Sequence, residues 1–173
     1  MLKRVTLLFL LAGAVALSQA SSHPAQKAQA PAAGAGMAAD HHAVKETEVQ
    51  WGPAPAVFNA GAQMAVMDGN PGGTGIFVIR LKMPAGYKIM PHWHPTQEYV
   101  TVISGRFQYG IGDKMTPADM TTLGPGGFVA LHAKAHHYAV AKDASVVEVS
   151  GMGPFQLIYV NPADNPSKLK SGK

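Results

Sequence analysis

Apolar and polar positions alternate most clearly over residues 75–83. There Phe77, Ile79, Leu81 and Met83 would share one face of an extended strand, and Ile76, Val78, Arg80 and Lys82 the other. One of the two faces is expected to line a core. Shorter apolar or alternating runs recur at residues 63–67, 98–104, 106–112, 120–123, 127–131, 137–141, 145–150 and 155–160. This spacing predicts an all-β sandwich or barrel, and no stretch carries a strong helical period. The junction Ser104-Gly105 predicts a hairpin joining 99–104 to 106–112, because glycine adopts positive φ without Cβ strain.

Outside this patterned region, which gives an expected domain at 44–160, the composition changes. Residues 21–43 are Ala, Pro, Gly and Gln with few bulky apolar side chains. Such a segment cannot bury enough surface to offset the entropy of ordering, so it reads as a flexible linker, and His23, His41 and His42 as solvated side chains on it. Prolines in Asn161-Pro-Ala-Asp-Asn-Pro-Ser cannot continue a ladder, and the tail 161–173 is expected to be exposed. At the other end, Lys3 and Arg4 precede an apolar or small run over 5–17 and then Ser18-Gln19-Ala20. Residues 1–20 therefore read as a secretory signal peptide, the run being shorter than the ~20 residues that span a bilayer.

Length and charge narrow the function. The chain has 173 residues, 47% of them hydrophobic, enough for one domain with a real core, and no internal repeat suggests a second. Losing residues 1–20 removes Lys3 and Arg4 and no acid, so the formal charge falls from +4 to +2. Basic residues are scattered singly apart from Lys168, Lys170 and Lys173, which leaves no stripe for phosphates and no support for nucleic-acid binding. The absence of cysteine excludes disulfides, thiolate chemistry and a lipid anchor after cleavage. The mature product is expected to be periplasmic or secreted, with no stable membrane anchor.

Chemistry concentrates between Gly86 and Gly105. His92 and His94 lie two apart and Glu98 four further on, so along one extended strand all three would project from one face. Imidazole nitrogens and a carboxylate oxygen suit a divalent first-row metal. The full pattern, Gly-x5-His-x-His-x3-Glu-x6-Gly, resembles the first motif of the cupin superfamily over its whole length. A second cupin motif, Gly-x5-Pro-x-Gly-x2-His-x3-Asn, aligns in part from Gly126 to His137. Here His132 stands where proline is usual, Lys134 where glycine is usual and Ala141 where asparagine is usual. His136 competes with His137 by one residue, and strand alternation lets only one of them face inward. The spacing from Gly126 favours His137.

The resemblance implies a double-stranded β-helix, the jelly-roll cupin barrel, in which each motif supplies a strand-turn-strand unit. It implies His92, His94, Glu98 and His137 as ligands of a divalent transition metal, Fe, Mn, Ni, Cu or Zn, with one or two positions open for water or substrate. Dioxygenases, oxalate-degrading enzymes, lyases and isomerases share that set, so the expected partner is a small oxygenated molecule and the expected activity a metalloenzyme's. A non-enzymatic small-molecule or sugar binding module with a structural or vestigial metal is the competing class, and exposed edge strands leave a homodimer open.

Further polar residues have candidate roles. Trp93 should point away from the metal and pack. Tyr87, Tyr99, Gln108, Tyr109 and Tyr138 are candidates to bind substrate or a ligand, and Gln97 to orient one. His132 and Lys134 stand either as an added base and cation at the cavity mouth or as tolerated surface substitutions. Met64, Met67, Met83 and Met90 read as core gap-fillers rather than copper ligands, with Met90 the best placed for a ligand role.

Overall fold

A computed structural model describes residues 41–169. The expected signal segment 1–20, His23, most of the linker and residues 170–173 lie outside the described residues. Eleven strands form two antiparallel sheets. The first has the order β1 (Gly52–Pro53), β2 (Gln63–Asp68), β3 (Gly75–Met83), β10 (Ser145–Gly153), β5 (Glu98–Ser104) and β8 (Phe128–Leu131). The second runs β11 (Ile158–Tyr159), β4 (Lys88–Trp93), β9 (His137–Ala141), β6 (Phe107–Ile111) and β7 (Thr121–Leu123). Their inner faces enclose one core, and the only helical elements among the described residues are three 3-10 turns and the four-residue α1 (Pro166–Leu169).

The alternation in β3 sets the core. Phe77, Ile79, Leu81 and Met83 are buried, whereas Ile76 on the opposite face is largely exposed. Burying side chains of this size contributes roughly 1.5–3 kcal/mol each. β10 pairs with β3 from Met83↔Ser145 to Gly75↔Gly153 and adds Val147 and Val149 to the same interior. On its other side β10 pairs with β5, whose inward residues are Glu98, Val100 and Val102. An inward glutamate at the start of an otherwise apolar strand face is the first sign of a site.

Two expectations are corrected. First, β5 and β6 are not a hairpin: β5 pairs with β10 and β8, while β6 pairs with β9 and β7 in the other sheet. Gly105, at φ 79°, is the corner where the chain changes sheets. A Cβ there would run into the Ala144 carbonyl and the Ser145 hydroxyl. A corner and a hairpin turn both call for positive φ, so the glycine did not distinguish them; long-range pairing did.

Second, β4 is a strand that the alternation did not show. Its pairing with β9 steps from Ile89↔Ala139 to His92↔His137, so one extra residue is inserted on β4. That bulge breaks the period of two and turns both Ile89 and His92 inward, three residues apart. Pro91, which lacks an N–H, sits within it and hid the strand in the sequence. The described part of the tail after Val160 forms a 3-10 turn (Pro162–Asp164) and α1 and is mostly exposed, with Pro166 buried. His42, read as solvated, is exposed but places Nε2 3.1 Å from the Met67 carbonyl, to which it donates.

Candidate metal centre

The two halves of the site come from opposite sheets. β4 delivers His92 through its bulge, and His94 follows immediately after the strand. The chain then turns, and Glu98 opens β5 in the other sheet. His92, His94 and Glu98 therefore meet as a strand-turn-strand unit and not along one extended strand. His137 begins β9 directly opposite His92 in register. All four side chains are buried.

Geometry separates His137 from its neighbour. His137 faces the interior, and His136 instead places Nδ1 2.6 Å from the Asp113 carboxylate at the surface. His137 opens β9 with its side chain inward, and the residue before the strand, His136, turns the other way.

Each of the three buried histidines spends its Nδ1 on a backbone carbonyl. The partners are Met90 for His92 at 2.8 Å, Gln156 for His94 at 2.7 Å and Ala135 for His137 at 2.9 Å. A carbonyl can only accept, so Nδ1 carries the proton and Nε2 presents a lone pair. One candidate ligand atom from each ring lies within 4.8 Å of those of the other two. The buried Nε2 atoms of His94 and His137 have no hydrogen-bond partner among the described residues. Orphaned buried nitrogens cost free energy, and a cation at their meeting point would relieve that cost. Backbone carbonyls that fix tautomer and ring orientation are the usual support behind metal-binding histidines.

Glu98 closes one side. Its Oε2 is 3.3 Å from His137 Nε2 and 3.6 Å from His94 Nε2. A carboxylate facing two lone pairs is repelled until something positive comes between them. Burial lowers the pKa of His92 to about 3, with the neighbouring His137 and His94 adding to the effect. Burial likewise lowers that of His94, against the opposing pull of Glu98. For Glu98, burial pushes the pKa up, but the hydrogen bond and positive charge that His137, His94 and His92 offer when protonated outweigh it and hold it low. The site is thus suited to a cation: burial favours the neutral form of His92 and His94, and one nitrogen of each of the three rings converges beside the Glu98 carboxylate. This donor set fits a divalent transition metal.

Aromatic residues not singled out in the sequence complete the surroundings. The Phe155 ring stacks on His94 with centroids 4.2 Å apart and planes at 16°, and it packs against Phe77 at 4.9 Å. Tyr159 lies 6.2 Å from His92 and donates its hydroxyl to Val57 O at 2.9 Å. Both sit in a short apolar run that carries no motif, 61 and 65 residues from His94, so only the tertiary pairing of β11 with β4 brings them in.

The remaining candidates fall elsewhere, apart from Tyr109. It lines a small interior cavity of about 30 Å³ together with His92, Glu98 and His137. Tyr87 donates to Asn59 O, Tyr138 to Thr116 O and Gln108 to Thr122 Oγ1, while Tyr99 stacks on Phe128 at the surface. Met90 offers its carbonyl to His92, and Trp93 is half-buried. His132 and Lys134 are exposed and line neither that cavity nor the larger one beside it. Lys134 has φ 64°, which accounts for glycine being usual there, and its N–H donates to the His94 carbonyl at 2.8 Å.

Comparison with known proteins agrees with this architecture. Residues 79–150, which contain all four site residues, match the family model described as Cupin domain. No curated protein sequence matches the chain. Among solved structures, the polyketide cyclase RemF from Streptomyces resistomycificus superposes with a TM-score of 0.59 at 14% identity, covering 76% of this chain and 93% of that one. A putative acetylacetone dioxygenase from Methylibium petroleiphilum gives 0.56 at 23% identity, with 73% and 85% covered. An RmlC-like cupin from Shewanella frigidimarina gives 0.52 at 13% identity, with 65% and 90% covered. At these identities the likeness is one of fold. Residues 79–150 thus resemble a cupin domain, and together with the two-sheet topology the matches give the chain the jelly-roll cupin barrel as its fold.

Proposed function

We propose that this protein is an exported metalloenzyme that holds one divalent transition metal through His92, His94, His137 and Glu98 and acts on a small oxygenated organic compound. The observation that carries the reading is the set of imidazoles locked by Nδ1–H donation to carbonyls, with Nε2 lone pairs converging and two of them orphaned. A cyclase and a putative dioxygenase among the structural neighbours are in keeping with open-site metal chemistry on this fold. When bound, such an ion would act as a Lewis acid or as an oxygen-activating centre.

The chain's own residues then have defined tasks. The carbonyls of Met90, Gln156 and Ala135 keep the three rings in one tautomer. Glu98 supplies negative charge that offsets the ion's. Phe155 and the apolar barrel interior exclude water, which strengthens every electrostatic interaction within. Tyr109 is placed to meet a ligand that enters the inner cavity.

Elemental analysis of the protein purified without added metal, beside a His92→Ala, His94→Ala double variant, tests the metal. Near-stoichiometric metal that disappears in the variant is the expected result; no metal in either, even after reconstitution, refutes the reading. Intact mass and fractionation test export: a mature chain starting at Ser21 in the periplasm or medium is expected, and an uncleaved chain confined to the cytoplasm would overturn it. One observation favours a second reading, a small-molecule binding module: a cavity of about 480 Å³ lies beside the site, far larger than the space at the histidines. Tight ligand retention without turnover across a panel of oxygenated compounds would move the assignment there.

A further inference from the structure

The histidines have almost no free space of their own. The cavity that His92, Glu98 and His137 line measures about 30 Å³, which is room for a single water. A separate cavity, reaching His94 through its lining residues, measures about 480 Å³, within the range that holds small organic ligands. Its walls include Val57, Phe58, Met64, Ile79, Phe155 and Leu157, and Gln156 is the only lining residue with a polar side chain.

Two residues link the large cavity to His94, which itself lines neither space. Phe155 lines the large cavity and also stacks on His94, which does not line it. Gln156 lines the same cavity, and its carbonyl accepts the His94 Nδ1 proton. Elsewhere in the lining the backbone is anchored: the carbonyl of Val57 accepts the Tyr159 hydroxyl at 2.9 Å, and that of Asn59, next to Phe58, accepts Tyr87 at 2.7 Å. Phe155 is itself only half-buried, its backbone N–H is tied to Pro71 O at 2.7 Å, and its ring lies between His94 and Phe77, so a ligand reaching the histidines from this cavity has to displace that ring.

We propose that the large cavity receives the apolar body of the substrate and that Phe155 is the partition past which the substrate's oxygen-bearing end reaches the histidines. The substrate class is then a mainly apolar molecule with one terminal oxygen donor, such as a carboxylate or an enolisable carbonyl, and not a sugar or a nucleotide. Phe155 is a specificity-determining residue in this arrangement, and Val57 and Leu157 set the length of tail accepted. The proposal rests on the metal reading above, and its test separates the two.

The protein loaded with Co²⁺ is titrated with straight-chain carboxylates from acetate to hexanoate, and the visible spectrum of the ion is followed. In the unaltered protein, affinity should rise about fourfold per added methylene, as expected for burial of a CH₂ group in an apolar cavity. Val57→Trp fills the cavity and should flatten that series while leaving the Co²⁺ content unchanged; the milder Leu157→Phe should reduce its slope. Phe155→Ala should tighten acetate roughly three- to tenfold, because no stacked ring needs displacing. A flat series in the unaltered protein, an undiminished slope in both filling variants, or unchanged acetate affinity in Phe155→Ala would each overturn the proposal. Failure of the unaltered protein to bind Co²⁺ would overturn the metal reading and the partition with it. The cavity is then read alone by 1-anilinonaphthalene-8-sulfonate fluorescence in metal-free protein, where binding that Val57→Trp does not weaken would refute the cavity as a ligand site.

Discussion

Acidification of the metal-free protein is expected to unfold it in a way that traces to His92. In the folded chain this imidazole stays neutral down to about 3, whereas its ordinary value is 6.5. The depressed value means that the unfolded state binds a proton the folded state refuses. Stability is therefore fully present above about pH 6.5 and is lost as the pH falls from there towards about 3. At about pH 4 the loss from His92 alone comes to roughly 3 kcal/mol, at about 1.4 kcal/mol per unit. Against a total stability of about 5–15 kcal/mol this is a large share. His94 is shifted in the same direction and adds to the slope. Urea unfolding of chelator-treated protein, followed by Trp51 and Trp93 fluorescence between about pH 7.5 and about pH 4, measures this. A His92→Gln variant removes the titrating group while keeping a polar side chain, so its stability should fall less steeply over the same range. Identical pH slopes in the two proteins would show that His92 is not held neutral by burial, and the electrostatic account of the site would fail.

Other outcomes follow from particular contacts. His137→Ala should cost more metal affinity than the ten- to hundredfold typical of losing an outer hydrogen-bond partner, while His136→Ala, just before the strand, leaves metal content unchanged; equal losses would mean that β9 is one residue out of register. Phe77 is fully buried and supports Phe155, so Phe77→Ala should cost about 3–5 kcal/mol in unfolding experiments. A loss below about 1 kcal/mol would contradict the packing. Lys134→Gly should raise the thermal midpoint slightly, by the equivalent of at most about 1 kcal/mol, because relief of a left-handed lysine exceeds the extra entropy of glycine. A fall in the midpoint would mean that the lysine side chain contributes a contact of its own.

What the sequence determined by itself is whatever depends on local period and spacing. A period of two over Gly75–Met83 placed Phe77, Ile79, Leu81 and Met83 on one face, and that face is the core. The spacing of Gly86, His92, His94, Glu98 and Gly105 was enough to recognise the cupin pattern, and a buried cluster of His92, His94 and His137 with Glu98 against it is found there. Tertiary structure alone decided the rest. The bulge at Met90–Pro91 turns His92 inward only because β4 is paired with β9, and no residue type in β4 announces an extra residue. Gly105 looked like a hairpin turn because a corner needs the same positive φ; the partner strands β10 and β9, more than thirty residues away, choose between them. Phe155 and Gln156 reach His94 across 61 and 62 residues, and a packing contact or a carbonyl hydrogen bond at that separation leaves no periodic trace in the chain. Backbone carbonyls fix all three imidazole tautomers, and every residue type carries a carbonyl, so the feature that most directly prepares the site for a cation is written in the fold and not in the side chains.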